Sequence, residues 1–190
     1  MYFKIILITG GNTGLGLEIA RALCRSSKSY KTLLAGRSLE RATAAIEKLA
    51  SVQLNGSTTV EPIQLDVEDD ESINAAFKFV EEQFGRLDIL VVNNADEERE
   101  ESGWSAYRSA EIGMDMMMRE WARVLKEDTV KVCAVSPGLL ATGLGGDQEL
   151  LRQMGVMDPQ IGVELVTSVI EGERDADMGL VINKAGVQPW

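Results

Sequence analysis

The chain has 190 residues, of which 45% are hydrophobic and 26% charged, so it is long enough for one sizeable core and too short for two ordinary domains. Its formal net charge of -11 argues against nucleic acid and anionic membranes as partners, because both require a basic surface. The absence of histidine removes the usual general base and the commonest transition-metal ligand, and we expect no metal site.

Strand-like and helix-like segments alternate along the chain. This alternation predicts an α/β fold, with helices on both faces of a doubly wound parallel sheet of about six strands, in a single domain over 1–190. In the first half we predict strands over 3–9, 31–35, 59–66 and 87–95 and helices over 14–26, 39–54 and 69–84. Pro62 lacks an amide N–H, which places the third strand at a sheet edge. The fourth strand is an unbroken apolar run, as expected of a buried parallel strand.

Helical periodicity predicts which residues of two helices face a core. In the third helix they are Ile73, Phe77, Val80 and Phe84. In a long helix over 104–126 they are Tyr107, Ala110, Met114, Met117, Met118, Trp121 and Leu125. Ile112 and Met116 widen the apolar surface of the long helix, which indicates a second buried contact and favours a homodimer.

The second half contains the remaining predicted elements. An acidic linker over 96–103 precedes the long helix, and a strand over 129–136 follows it. One or two helices cover 147–171, with a break near Asp158-Pro159, and a final strand covers 178–183.

Two features bear on the location of the protein. Cys24 and Cys133 are too few for a disulfide framework, so we interpret both as small core residues in a reducing compartment. The first apolar run is too short to cross a bilayer and has no cleavage-site pattern, so we interpret it as a strand and not as a signal peptide. We therefore expect a cytoplasmic protein.

A glycine-rich turn, TGGNTGLG from Thr9 to Gly16, lies between the first strand and the first helix. Glycines at 10, 14 and 16 allow a sharp turn and a close approach of backbone to a phosphate. The N–H groups and the positive dipole end of the following helix then face the anion. This strand, turn and helix predict a Rossmann-like dinucleotide site.

The spacing T-G-x-x-x-G-x-G resembles that of the short-chain dehydrogenase/reductase family. The resemblance implies a nicotinamide cofactor and a carbonyl reductase or alcohol dehydrogenase activity on a small molecule. It implies that the cofactor is contacted by Thr9, Gly10, Asn12, Thr13, Gly14, Leu15 and Gly16.

The residues that follow the second and third predicted strands concern the adenosine half of the cofactor. Arg37 follows the second strand, and because a guanidinium suits a 2′-phosphate it favours NADP over NAD. A role as an exposed surface arginine stays open. Asp66-Val67, after the third strand, resembles the family pair whose aspartate contacts the adenine. A role of Asp66 in a helix N-cap or a turn stays open.

Two further motifs match the family. Asn93-Asn94-Ala95 is similar to its N-N-A-G, with Asp96 in place of the glycine, and implies that Asn93 and Ala95 contact the cofactor. The set Pro137, Gly138 and Thr142 resembles P-G-x-x-x-T, whose threonine contacts the nicotinamide amide.

The catalytic centre departs from the family pattern. Tyr107 matches the tyrosine of Y-x-x-x-K, but Glu111 replaces the lysine, and a carboxylate one turn away disfavours the phenolate. Between Asn94 and Tyr107 the family has a helix and a strand that carries a serine, and this chain has only the acidic linker. The resemblance therefore implies a member shorter by one βα unit, without the catalytic serine.

Three functions are consistent with this sequence. The first is an NADP-dependent oxidoreductase with a degenerate centre, in which Tyr107 and Glu111 are the candidate catalytic residues. The second is an inactive cofactor-binding protein with a regulatory or interaction role. The third is a non-redox isomerase or cyclase that uses Glu111 with Tyr107.

Overall fold

A computed structural model describes residues 3–50, 58–93, 99–128, 130–142 and 147–188. The chain divides into two compact units, Met1–Ala95 and Asp96–Trp190. The assignment of the whole chain to one domain stays a prediction.

The N-terminal unit is a parallel sheet with helices between its strands. Its elements are β1 (Lys4–Ile8), α1 (Gly14–Arg25), β2 (Tyr30–Gly36), α2 (Leu39–Ala50), β3 (Thr59–Gln64), α3 (Asp70–Phe84) and β4 (Ile89–Val91). The strand order is β3-β2-β1-β4, and every described pairing is parallel. The predicted α/β fold is confirmed, and β3, which carries Pro62, lies at an edge as predicted.

The core of this unit lies on β1, α1 and β2. Its fully buried side chains include Ile5, Ile6, Ile8, Ile19, Leu23, Leu33 and Leu34. The prediction that the fourth strand is buried is wrong, since β4 is a three-residue strand on which Leu90 is 53% exposed. In the described part of the chain β4 pairs only with β1, so one of its edges has no neighbouring strand.

The predicted core face of the third helix is confirmed for Val80 and Phe84 and wrong for Ile73 and Phe77. Ala76 and Val80 face the core formed by β1, β2 and β3, whereas Ile73 and Phe77 are exposed. The small side chain of Ala76 allows the helix to approach the sheet closely, and Ile73 and Phe77 lie beside it on the exposed part of the helix. Phe84 packs partly against the same core, as predicted.

The C-terminal unit contains the other described elements. They are α4 (Arg99–Val124), β5 (Ala134–Val135), α5 (Gln148–Gln153), α6 (Pro159–Glu171), a 3-10 helix (Asp175–Asp177), β6 (Val181–Asn183) and β7 (Gly186–Val187). β5 and β6 pair in parallel and β7 is antiparallel to β6. The described strands thus form two sheets, of four and three strands, where about six strands in one sheet were predicted.

Two predictions for this unit have different outcomes. The break near Asp158-Pro159 is confirmed, because Asp158 caps α6 and Pro159 is its first residue. The apolar stripe of α4 is only partly buried: Met118 is 5% exposed, but Met117 and Trp121 are exposed, as is Met116 beside them. No helix in the described ranges has both the length and the apolar composition needed to cross a membrane.

Candidate cofactor site

The glycine-rich turn is held in place by the end of β4. Asn93 N donates to Thr9 Oγ1 at 2.9 Å, and Thr9 Oγ1 donates to Asn93 O at 3.1 Å. Asn93 Nδ2 also donates to Gly10 O at 3.3 Å. These three hydrogen bonds join segments more than 80 residues apart in sequence, so they tie the turn to the segment that follows β4.

Two of the glycines in the turn are required by close packing. A Cβ at Gly10, whose φ is 56°, would lie 2.6 Å from Asn93 O. A Cβ at Gly16 would lie 2.6 Å from Gly10 O and 3.0 Å from Asn93 Nδ2. Real Cβ atoms do not approach backbone this closely. A larger residue at position 10 would therefore push the turn away from Asn93, and one at position 16 would displace α1 from the turn.

The middle glycine of the motif has a different role. Gly14 has a φ of 54°, so its backbone conformation favours glycine. A Cβ at Gly14 would meet no heavy atom of the described residues within 4 Å. Among the described residues, none therefore covers Gly14 on this side.

One glycine of the turn, Gly11, has a role that the motif spacing did not predict. Gly11 N donates to Ala35 O at 2.9 Å, and a Cβ at Gly11 would lie 2.5 Å from Leu34 Cδ1. On the same side of the turn, Asn12 Oδ1 would lie 3.3 Å from a Cβ at Gly36. The doubled glycine in TGGN is the sequence signal for this close contact with β2.

The N-terminus of α1 has no side-chain cap. Thr13 precedes it with extended backbone angles and makes no capping hydrogen bond, and the first turn of α1 contains no acidic residue. In contrast, Asp69 and Asp158 accept hydrogen bonds from amides in the first turns of α3 and α6. The amides of α1, beginning at Gly14 and Leu15, thus keep the N–H groups and dipole end that bind an anion.

The ends of β2 and β3 lie side by side at the edge of the sheet where the glycine-rich turn lies. Leu65 N donates to Gly36 O at 3.0 Å, and Gln64 Nε2 donates to the backbone oxygen of Arg37 at 3.3 Å. Arg37 is exposed. Arg37 and Asp66 thus follow two adjacent strands.

Asp66 has the turn role that the sequence left open. Its Oδ1 accepts from Glu68 N at 3.1 Å, and its own amide donates to Ser72 Oγ at 2.9 Å. The N-cap of α3 is Asp69, which accepts from Glu71 N. Val67, the next residue, is 49% exposed.

The remaining candidate residues lie in the C-terminal unit or outside the described residues. Pro137, Gly138 and Thr142 form the loop after β5, where Gly138 has a φ of 81° and Thr142 N donates to Leu140 O at 2.7 Å. Tyr107 and Glu111 are one turn apart on α4, and Glu111 is half-buried. Asn94, Ala95 and Asp96 lie outside the described residues.

The thiols of this protein are poor nucleophiles. Burial raises the pKa of Cys133 to about 11, although the nearby Arg174 guanidinium opposes the rise. Burial also raises the pKa of Cys24, against the effect of Arg21. Neither cysteine forms a disulfide, and no cluster of three metal-binding side chains occurs among the described residues. Thiol chemistry is therefore disfavoured at neutral pH.

The first half of the chain matches a family of enzymes. The sequence model of the family described as short chain dehydrogenase matches residues 4–101, just over half of the chain. The chain belongs to the short-chain dehydrogenase family. Proteins of this family bind a nicotinamide cofactor and act on small molecules.

Relatives of this short-chain dehydrogenase extend over the whole chain. Short-chain dehydrogenase/reductase eupG of Phoma sp. is 31% identical over 271 residues, covering 98% of this chain and 97% of the relative. Since the chain has 190 residues, the relative contains residues with no counterpart here, so the chain is shorter than this relative, as predicted. Carbonyl reductase [NADPH] 1 of Homo sapiens is 41% identical over 91 residues, covering 48% of this chain and 31% of the relative.

Solved structures support the same fold. A short-chain type dehydrogenase/reductase from Mycobacterium ulcerans matches with a TM-score of 0.78 at 17% identity, covering 97% of this chain and 90% of that one. An actinorhodin polyketide ketoreductase structure with NADPH also has a TM-score of 0.78 at 17% identity, with 97% and 96% covered. The Rossmann-like fold is thereby confirmed.

Proposed function

We propose that this short-chain dehydrogenase binds NADP(H) through its N-terminal unit and has little or no turnover as a carbonyl reductase or alcohol dehydrogenase. The observation that carries the proposal is the uncapped N-terminus of α1 beside a glycine turn that Asn93 holds in shape. Open amides, no carboxylate in the first turn and a close-packed glycine backbone fit a pyrophosphate. A carboxylate cap would have excluded it.

Arg37 supports NADP and not NAD. It is exposed at the end of β2, and its backbone oxygen accepts a hydrogen bond from Gln64, beside the end of β3. A guanidinium there suits a 2′-phosphate, with which it forms charge-assisted hydrogen bonds. Two human relatives are named Carbonyl reductase [NADPH], which favours the same cofactor. Asp66 and Val67 would face the adenine.

The catalytic part of the proposal rests on Tyr107 and Glu111. The nicotinamide, when bound, supplies a hydride, and Tyr107 would donate the proton that a carbonyl substrate requires. Glu111, one turn along α4, disfavours the phenolate that alcohol oxidation requires. In the N-terminal unit, Asn93 and Ala95 would contact the cofactor.

A second candidate function is an inactive binding protein that responds to NADP(H). The observation that favours it is the contrast between a well-packed glycine turn and the carboxylate at position 111, where the family pattern has a lysine. We also propose a cytoplasmic homodimer. The two cysteines outside any disulfide and the exposed apolar side chains of α4 support these two statements.

Binding and turnover are tested in one experiment. NADPH and NADH are titrated by calorimetry into the wild-type protein, Arg37→Asp and a control, Arg25→Ala, whose exposed arginine lies at the other end of α1. We expect NADPH to bind at least about tenfold more tightly than NADH, and R37D alone to lose that preference.

The same samples are then incubated with NADPH and a panel of carbonyl compounds, and the absorbance of the reduced nicotinamide is followed. We expect binding with very slow consumption or none. Wild-type protein that binds neither nucleotide would contradict the proposal. Rapid consumption would contradict its catalytic part and leave the cofactor assignment in place.

A further inference from the structure

We propose that the outer edge of β4, with an apolar surface beside it, binds an extended segment of another protein, which joins the sheet as an added strand. The segment has apolar side chains at alternate positions and a lysine or arginine at each end. The inference concerns the N-terminal unit alone and does not depend on the cofactor.

The outer edge of β4 offers backbone groups for pairing. The strand order is β3-β2-β1-β4, and no described strand lies beyond β4. Thr9 N donates to Val91 O at 3.0 Å, so the backbone groups of Val91 face β1. Those of Leu90 face outward, because adjacent residues of a strand direct their N–H and C=O groups to opposite sides. The strand contains neither a charge nor a proline, the features that usually protect an edge.

Apolar side chains of β4 lie beside this edge on the face of the sheet that α3 covers. Leu90 is in register with Leu7, which belongs to the core beneath α3, so both side chains lie on that face. Leu90 is nevertheless 53% exposed, and Val92, two residues later, is 49% exposed. The cover that α3 provides therefore does not extend over the edge strand.

The exposed apolar row of α3 lies on its β4 side. Asp66 N donates to Ser72 Oγ at 2.9 Å, so the side of α3 that carries Ser72 is next to the end of β3. Ile73 and Phe77 lie about 100–140° further around the helix, beyond the buried Ala76, and therefore point away from β3. Phe77 is 65% exposed. We call the four residues Ile73, Phe77, Leu90 and Val92 the edge surface.

Two carboxylates decide which partner fits the edge surface. Asp70 and Glu81 are exposed and lie at the two ends of the exposed row of α3, about 16 Å apart along the helix axis. An extended chain covers that length with about five residues. A segment with a basic residue at each end and apolar residues between them therefore matches both the charge and the spacing. In a second copy paired at its own β4, the same carboxylates would meet across the two-fold axis and repel each other.

The test uses a fluorescein-labelled peptide, K-T-V-T-V-T-K, whose binding is followed by fluorescence anisotropy at one fixed salt concentration. One control peptide has glutamate in place of both lysines. The other, K-V-V-T-T-T-K, has the same composition and charge without the alternation. We expect the first peptide to bind at least about tenfold more tightly than the glutamate peptide and about threefold more tightly than the reordered one.

Three variants and one backbone measurement locate the site. Phe77→Ala and Glu81→Lys should each weaken binding of K-T-V-T-V-T-K about fivefold or more. Glu82→Lys is the matched control, since it makes the same charge change on the other side of α3, where Glu82 pairs with Lys78 at 3.7 Å. E82K should stay within about twofold of wild type. Hydrogen exchange of the Leu90 amide should slow when the peptide binds, because that N–H would then donate to the added strand.

Several results would overturn the proposal. Wild-type protein that binds no peptide, or that binds the basic and acidic peptides equally, would do so. Equal weakening by E81K and E82K would mean that the peptide follows only the overall negative charge. Slow exchange at Leu90 before peptide is added would mean that another strand, such as that of a second copy, already pairs there. If F77A fails to fold, the comparison of E81K with E82K decides.

Discussion

The close contacts at single glycines determine whether the turn can present its amides to a phosphate. Gly16 allows α1 to begin against Gly10 O, and Asn93 Nδ2 is within reach of both residues. The contact depends on the absence of one methyl group. A glycine-to-alanine substitution at this contact should therefore weaken cofactor binding, whereas the same substitution elsewhere in a helix should change only the stability of the helix.

Gly16→Ala should weaken NADPH binding by at least about tenfold and destabilise the protein by about 1–3 kcal/mol, because the new Cβ meets backbone at 2.6 Å. Gly113→Ala is the control, since a Cβ there meets no described heavy atom within 4 Å and lies within α4. G113A should stabilise the protein by about 0.5–1 kcal/mol and leave binding unchanged. Calorimetry and urea unfolding measure the two effects. Normal binding by G16A would contradict the close-packed turn.

Burial of Cys133 predicts slow alkylation. Its pKa of about 11, against the ordinary 9.0, leaves about 0.1% thiolate near pH 8 instead of about 10%, so iodoacetamide should react about a hundredfold more slowly than with the unfolded chain. Because the folded pKa is raised, the associated stability is present below about pH 9 and is lost as the pH rises through about 11. Mass spectrometry of the modified peptide measures the rate. Equal rates in native and denatured protein would disprove the burial.

At the scale of elements, the start of α1 differs from the starts of α3 and α6. Asp69 and Asp158 satisfy the first amides of their helices, whereas Thr13 leaves those of α1 open. An uncapped helix start is less stable in isolation than a capped one. The chain thus has an unsatisfied helix terminus at the position where we propose that an anion binds.

Removal of the two side chains at these starts should have unequal effects. Asp69→Ala should lower the free energy of unfolding by about 1 kcal/mol, because the bond from Glu71 N is lost. Thr13→Ala should change it by less than about 0.3 kcal/mol, since Thr13 makes no capping bond. Urea unfolding without nucleotide measures both. A cost in T13A as large as in D69A would mean that Thr13 does cap α1.

Local patterns predicted some of these elements well and others poorly. The turn at Gly10–Gly16 follows from the backbone needs of a few adjacent residues, so its spacing alone predicted it. The buried face of α3 was predicted only in part. The apolar pattern favoured the large Ile73 and Phe77, whereas the sheet covers the small Ala76. The bonds from Asn93 to Thr9 and Gly10 join distant segments, and no local pattern predicts them.

At the scale of the whole molecule, α4 exposes an apolar surface. Ile112, Met116, Met117, Trp121 and Val124 are each more than 40% exposed. Exposed apolar side chains grouped on one helix indicate an interface, and the proposed occupant is a second copy of the chain.

Light scattering should therefore give twice the mass of one chain for the wild type. Met116→Lys should shift the protein to the monomer, because a charge would be buried in the interface. Met154→Lys is the control, since Met154 is 71% exposed and lies outside α4. A wild-type monomer, or a dimer that M116K leaves intact, would rule out this interface.

The most direct test of the account is to observe the amides of α1 while a phosphorylated ligand binds. ADP-ribose 2′-phosphate is titrated into nitrogen-labelled protein, and the amide NMR signals are followed. We predict saturable shifts that are largest for Gly14, Leu15, Gly16 and Leu17, at the uncapped end of the helix. Saturation with no shift at these amides, or no saturation at any accessible concentration, would contradict the proposed phosphate site.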